Sequence, residues 1–186
     1  MGLPAHPPAA QNAAVEVRPA RVEDAAEIAE IHVRSWQGAY RGLIPQDYLD
    51  ALDPAERLGR WTEHLASGSW TAGGCIVVDG ADGAVAGFAT FGASRDPDSE
   101  PGTGEVMAIY LAPGAWDQGL GRELMSAALG YLAGFGYQQA TLWVLDTNAR
   151  ARRFYEAAGF TADGAVKVDE SHGFPLTEAR YRRALP

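Results

Sequence analysis

Two glycines, Gly119 and Gly121, stand in the stretch "PGAWDQGLGRELM" (113–125), between an apolar run, "EVMAIYL", and a segment with helical spacing. A helix start leaves backbone N–H groups without partners and carries about half a positive charge. An anion is favoured there, and a residue without Cβ lets a phosphate approach the main chain. A tight strand-to-helix turn accounts for the same glycines equally well. The loop lacks the Gly-Lys-Ser/Thr of a P-loop and the third glycine of a dinucleotide fingerprint. Further on, "NARARRFYEAAGF" (148–160) sets Asn148 and Tyr155 seven residues apart. That is two helical turns, so an amide and a phenol share one face.

The elements that must position these groups are legible in outline. "AVEVRPA" (14–20) predicts a first strand, and 21–40 a helix with Glu23 and Asp24 in its first turn. Two shorter helices follow over 45–67, the second opened by an Asp53 cap and Pro54. "GGCIVVD" and "AVAGFATFGA", joined by "GADG", predict an antiparallel hairpin, and 105–112 another strand. Residues 119–136 predict a helix whose apolar face is Leu120, Leu124, Ala127, Ala128, Tyr131 and Phe135, stopped by Gly136. "ATLWVLD" (140–146) is nearly all apolar, the mark of a strand buried on both faces. A helix ended by Gly159 and a final strand pair around "SHGFPLT" complete the chain. The sum is an α/β (α+β) fold. Its mixed, mostly antiparallel central sheet contains a parallel strand–helix–strand core (105–146) and is flanked by helices.

Composition narrows the function. The 186 residues carry a net charge of −9, 47% hydrophobic and 21% charged residues. Residues 1–14, Ala/Pro-rich and without a charged side chain, predict a flexible leader; 15–186 predict a single domain. The acidity, with a pI of about 4.8, argues against a nucleic-acid partner. No segment has the make-up of a secretory signal or membrane span, so a cytoplasmic protein with no membrane partner is expected. One cysteine, Cys75, excludes an intrachain disulfide, and its place in a strand argues for an inert, buried thiol. The histidines, at 6, 32, 64 and 172, have no metal-ligand spacing, so no metal is expected.

The two motifs taken in order resemble the GNAT superfamily of acetyl-CoA-dependent N-acetyltransferases. Its fingerprint is a strand, a Gln/Arg-x-x-Gly-x-Gly/Ala loop, a helix, a strand, then an Asn…Phe-Tyr…Gly-Phe helix. The resemblance spans roughly 15–185 and includes the opening "VEVRPARVEDAAEIAEI". It implies the GNAT-like acyl-CoA N-acyltransferase fold, with acetyl-CoA as acetyl donor. It implies cofactor binding through the main chain of Gln118, Gly119, Leu120, Gly121 and Arg122, with Asn148 on the pantetheine or as a helix cap. Main-chain N–H groups at Ile109, Tyr110 and Leu111, where the fourth and fifth strands splay, would face the thioester carbonyl. The loop departs from the pattern: Trp116 stands where the family has Gln or Arg, and Asp117 and Gln118 follow. Asp117 is therefore expected to point away, and Arg122 to supply charge.

The implied reaction is direct attack of an amine on the thioester in a ternary complex. An alkylammonium with a pKa near 10.4 is neutral only about one part in a thousand at neutral pH, so its proton needs a route out. Glu105 is the candidate base, directly or through water; a surface glutamate at a strand edge is the plain alternative. Tyr155, matching the family's tyrosine, is the candidate donor to the departing thiolate. Full transfer from a phenol near 10 to a thiolate near 8.5 is uphill by about 2 kcal/mol, so a hydrogen bond to sulfur counts as much. Phe154 reads as core.

The region before the hairpin is aromatic-rich (Trp36, Tyr40, Tyr48, Trp61, Trp70) with interspersed acids. Trp36 and Tyr40 are the candidate acceptor-binding residues. "SHGFP" (171–175) is a candidate acceptor-side loop. The acceptor is expected to be a small-molecule primary amine, polyamine- or amino-acid-like. A protein or peptide N-acetyltransferase and a non-catalytic CoA-binding regulatory module are the alternatives. A homodimer is left open.

Overall fold

The computed structural model describes residues 16–68 and 72–186. The 1–14 segment and Trp70 lie outside them. Among the described residues the chain builds one sheet of seven strands in the order β1-β2-β3-β4-β5-β7-β6. The strands are β1 (Val17–Pro19), β2 (Gly74–Asp79), β3 (Val85–Ala93), β4 (Thr103–Leu111), β5 (Gln139–Leu145), β6 (Thr161–Asp169) and β7 (Leu176–Ala184). The helices are α1 (Ala25–Ala39), α2 (Gln46–Asp50), α3 (Pro54–Ala66), α4 (Leu120–Gly134) and α5 (Ala149–Ala157). The expected architecture holds: every neighbouring pair is antiparallel except β4–β5.

Alternation within β2 divides the core. Ile76 and Val78 pack with α4 on one face, whereas Cys75 and Val77 pack with α1 on the other. A strand covered on both faces reads as an unbroken apolar run, which is why periodicity alone cannot orient it. The apolar face of α4 differs from the one expected. Leu120, Leu124, Met125, Ala128, Leu129 and Leu132 are buried, while Tyr131 and Phe135 are 40% and 44% exposed. The helix is apolar on most sides, so the sheet decides which stripe is covered. Tyr131 keeps one contact at the margin, stacked on Phe91 with ring centroids 5.6 Å apart.

The feature that matters most for a site is how β4 and β5 part. Their parallel pairing runs through Thr103↔Gln139, Gly104↔Ala140 and Glu105↔Thr141. Just beyond, β4 carries an extra residue. Val106 pairs with Phe91 and Ala108 with Thr90, leaving Met107 bulged. A bulge bends its strand and increases local twist. β4 then follows β3, while β5 stays paired with β7 up to Leu145↔Glu178. A gap opens between the two.

A partly buried ion network, with Asp98 exposed at its rim, ties the 94–102 connection to the far side of the sheet. Arg180 of β7 donates to Asp96 (3.1 Å), Asp98 (2.7 Å) and Asp163 (2.8 Å). Removing one partner from a buried cluster leaves charge unsatisfied, at a cost of about 3–5 kcal/mol. Arg180→Met is therefore expected to lower stability in urea denaturation by about 3 kcal/mol, and to raise amide exchange across 94–102.

His32 of α1 is stacked on Tyr110 at 5.2 Å and accepts from Trp61 Nε1–H at Nδ1 (3.4 Å). Burial, reinforced by Arg57 and Arg60, pulls its pKa down to about 3. An unfolded histidine near 6.5 takes up its proton first. The stability from His32 is thus complete above about pH 6.5 and is lost as pH falls from there toward 3. Asp24 loses its share only lower: burial pushes its carboxyl up, but the hydrogen bonds from Arg18 and the Arg21 main chain, with the charges of both arginines, together outweigh it and hold it below the usual carboxylate range. Wild-type stability is expected to fall between pH 7 and pH 5, with a slope of at most about 1.4 kcal/mol per pH unit. His32→Leu flattens that slope; a variant with the wild-type slope would assign the loss elsewhere.

Candidate active site

The helix entrance at Gly119 is left-handed, with φ 86°. Only glycine adopts that conformation without steric cost. Among the described residues no side chain caps α4; the Gly119 carbonyl accepts from the N–H of Arg122 (3.0 Å) and Glu123 (3.3 Å). Gly121 meets a different need. A Cβ there would stand 3.1 Å from Leu111 and 3.4 Å from Phe154, so its bareness lets α4 pack tightly on β4 and α5.

A groove of about 1180 Å³ runs past this entrance, lined by Gly119, Gly121, Arg122, Asn148, Tyr155 and Arg183 among others. Two residues of the expected stretch do not line it: Leu120 is in the core, and Gln118 turns back to donate to the Gly114 carbonyl at 2.7 Å. Asn148 is buried and caps α5, its side-chain oxygen accepting from Ala151 N–H at 3.0 Å. Asp117 does not leave the site as expected: its side chain is 89% exposed, but it lines the groove and pairs with Arg150 at 3.2 Å. The Arg150 guanidinium also lies 4.3 Å from the centre of the Trp116 ring.

On the other side of the β4–β5 gap lies a second cavity of about 630 Å³. Tyr40, Ile109, Tyr110, Ala151 and Tyr155 line both spaces, so the two meet at Tyr155. Antiparallel pairing alternates the main chain of β4. Ala112 N–H donates to Ala86, which turns Tyr110 toward β3 and leaves the N–H groups of Ile109 and Leu111 facing the gap. Tyr110 therefore joins the site through its side chain.

Glu105 lines the second cavity and is 2% exposed. It is an interior group, which removes the strand-edge surface reading. Its carboxylate accepts from Arg95 three times: the main-chain N–H at 3.0 Å and the guanidinium at 3.2 and 2.6 Å. Burial raises the Tyr155 phenol above its ordinary value, helped by Tyr110 and Glu178. Burial raises Tyr40 and Tyr110 in the same way. Trp36 also lines this cavity. Its buried indole N–H has no hydrogen-bond partner of normal geometry among the described residues, although the Tyr110 hydroxyl stands near it. The 170–175 loop reaches across from the last hairpin: His172 packs on Trp36 (5.2 Å) and Tyr48 (5.7 Å), and Phe174 on Tyr48 (5.1 Å).

Sequence reasoning missed Arg95, Trp143, Lys167 and Arg150. Arg150 stands in the first turn of α5, two residues after its cap, a spacing that could have flagged it. Arg95, from a polar loop, gives no such signal. Lys167 rests 4.2 Å from the Trp143 ring and pairs with Glu178. Cys75 is buried in β2, and burial pushes its thiol up to about 12, which leaves it a poor nucleophile. Among the described residues no helix is long and apolar enough to cross a membrane.

Known proteins are similar to this chain in sequence and fold. The profile of the Acetyltransferase (GNAT) family matches residues 25–160. The chain is 36% identical over 143 residues to the uncharacterized N-acetyltransferase YuaI of Bacillus subtilis, covering 77% of this chain and 78% of that one. It is 38% identical over 100 residues to the mycothiol acetyltransferase of Beutenbergia cavernae, covering 54% of this chain but 31% of that one. The structure of YncA from Salmonella typhimurium with its cofactor acetyl-CoA superposes with a TM-score of 0.67 at 25% identity, covering 92% of this chain and 94% of that one. The family profile spans most of the chain, and the Bacillus relative aligns over more than two thirds of both proteins: this protein belongs to the GNAT family of acetyltransferases.

Proposed function

We propose that this acyltransferase moves an acetyl group from acetyl-CoA to a primary amine of a small, cationic acceptor. The observation that carries the reading is the meeting of two cavities at Tyr155, across a gap with inward-facing main-chain N–H groups. The larger groove fits a phosphate-bearing donor. Its helix entrance is uncapped and left-handed, and three arginines line it (Arg122, Arg150 and Arg183). The main chain at Gly119 and Gly121 would hold the diphosphate, with the Arg122 side chain beside it and Asn148 near the pantetheine. When bound, acetyl-CoA supplies the activated thioester acyl group.

The remaining work falls to the chain. Ile109 and Leu111 N–H groups would polarise the acyl carbonyl and stabilise the negative charge that develops on its oxygen. Tyr155 keeps its proton at neutral pH, because burial raises its pKa. It can donate a hydrogen bond to the departing sulfur; full transfer is more than about 2 kcal/mol uphill, since the phenol lies above its ordinary value. Glu105 would receive the proton of the acceptor ammonium. Arg95 already engages its carboxylate, so a water relay suits the geometry better than direct contact.

The acceptor class follows from the second cavity. Its walls carry the carboxylates Asp96, Glu105, Asp169 and Glu178 against the cations Arg95 and Lys167. Aromatic faces at Trp36, Tyr40 and Tyr110 add sites for a cation, while the Trp143 ring already carries Lys167. The aromatic bridge from His172 and Phe174 to Trp36 and Tyr48 supports a compact acceptor over an extended peptide.

Acetyl-CoA is expected to raise the melting temperature, and thiol release is expected with polyamines or amino acids but not with peptides. Turnover confined to peptides would overturn the acceptor assignment, and binding without turnover on any amine would make the protein a CoA sensor. Tyr155→Phe is expected to lower kcat about 100-fold while leaving the Kd for acetyl-CoA within about twofold. An unchanged kcat would remove Tyr155 from the chemistry.

A further inference from the structure

The groove that would take the donor's phosphates is entered through a loop with no basic residue. Between Pro113 and Gly119 the one charged side chain is the Asp117 carboxylate. Besides Arg122 in the first turn of α4, a second cation comes from another element. Arg150, in the first turn of α5, places its guanidinium 4.3 Å from the centre of the Trp116 ring and donates to both Asp117 oxygens at 3.2 Å. Trp116 is a firm platform: its Nε1–H donates to the Leu111 carbonyl at 3.1 Å, and its ring is packed so closely on α1 that a Cβ at Gly38 would come within 2.7 Å. All three residues line the groove beside Gly119 and Arg122.

We propose that Arg150 is a phosphate-facing cation of this groove, beside Arg122 and Arg183, and that Asp117 is its resident counter-ion, given up when the donor binds. The inference rests on the donor reading above. The Asp117–Arg150 pair is solvent-exposed on both sides, and such pairs contribute little to stability, so exchanging Asp117 for a better partner costs little. A phosphomonoester, or the diphosphate taken as a whole, is that better partner: it carries more charge than one carboxylate and accepts bidentate from a guanidinium. The Trp116 face holds the guanidinium in place during the exchange, so its orientation need not be rebuilt. Asp117 stays in the left-handed region, at φ 61°, where aspartate and asparagine are tolerated better than most residues. An Asp117→Asn variant therefore removes the charge without disturbing the turn. The arrangement sets donor affinity below what Arg150 alone would give.

The phosphate contacted is either in the diphosphate or on the ribose 3′ position, and three probes separate these. Isothermal titration calorimetry of the full chain with CoA, 3′-dephospho-CoA and pantetheine is the test. Arg150→Gln is expected to weaken CoA about 10-fold and leave pantetheine unchanged, and Arg150→Lys to restore part of the loss. Asp117→Asn is expected to tighten CoA about threefold at low salt, an advantage that shrinks as salt screens the exposed charge. Loss on CoA but not on 3′-dephospho-CoA assigns Arg150 to the 3′-phosphate, and equal loss on both assigns it to the diphosphate. Wild-type affinity for CoA in Arg150→Gln overturns the proposal, as does an equal loss on pantetheine, which would mark general damage to the groove. Asp117→Asn with unchanged or weaker CoA binding overturns the counter-ion role. A wild-type chain that binds none of the probes removes the donor reading itself, a result distinct from a wild type that binds and variants that do not differ.

Discussion

The early end of the β4–β5 ladder is the constraint on which the site depends. Three parallel pairs hold the strands together as far as Glu105 and Thr141. The bulge at Met107 then turns β4 away, while β5 stays with β7. Main-chain N–H groups in a sheet interior are normally consumed by a neighbouring strand. Here those of Ile109 and Leu111 face open space, a rare resource in a folded protein. The gap also lets a space on the α4–α5 side communicate with one on the α1 side. Glu105 is buried at its base, and Tyr155 stands where the spaces join.

The edges of this gap are held by charge as well as by packing. Arg180 gathers Asp96, Asp98 and Asp163 and so fastens the 94–102 connection to β7 and β6. That connection carries Arg95, whose backbone and guanidinium both reach Glu105. The glutamate thus depends on a chain of ion pairs leading to the far edge of the sheet. The donor side is fastened differently: Trp116 wedges between α1 and the end of β4, and Arg150 lies across it. In a chain of net charge −9, the cations that matter are few and are brought to the cavities from separate elements.

Much of this was legible in the residues. The strand order of the hairpin, the parallel crossover, the helix caps at Asp53 and Asn148, and the left-handed glycine at 119 all follow from local chemistry. The glycine pair illustrates the limit. Gly119 is demanded by its own backbone angle, which a sequence pattern can signal. Gly121 is demanded by Leu111 and Phe154, neither of which is its neighbour in the chain. The buried face of α4 went astray for a related reason. Met125, Leu129 and Leu132 compete with Tyr131 and Phe135 for the sheet, and sequence spacing does not say where the sheet lies.

By itself, the sequence determined the family and the order of elements, because two motifs of recognisable residue types stand in order along the chain, and through that resemblance it named Glu105 and Tyr155 as candidates. The tertiary structure alone decided that Glu105 is buried and held by Arg95, that two cavities meet at Tyr155, and that Arg150 stands across Trp116 and beside Asp117. Those outcomes depend on a bulge, on sheet twist and on contacts between residues tens of positions apart. Such long-range geometry is set by packing, and no local pattern encodes it.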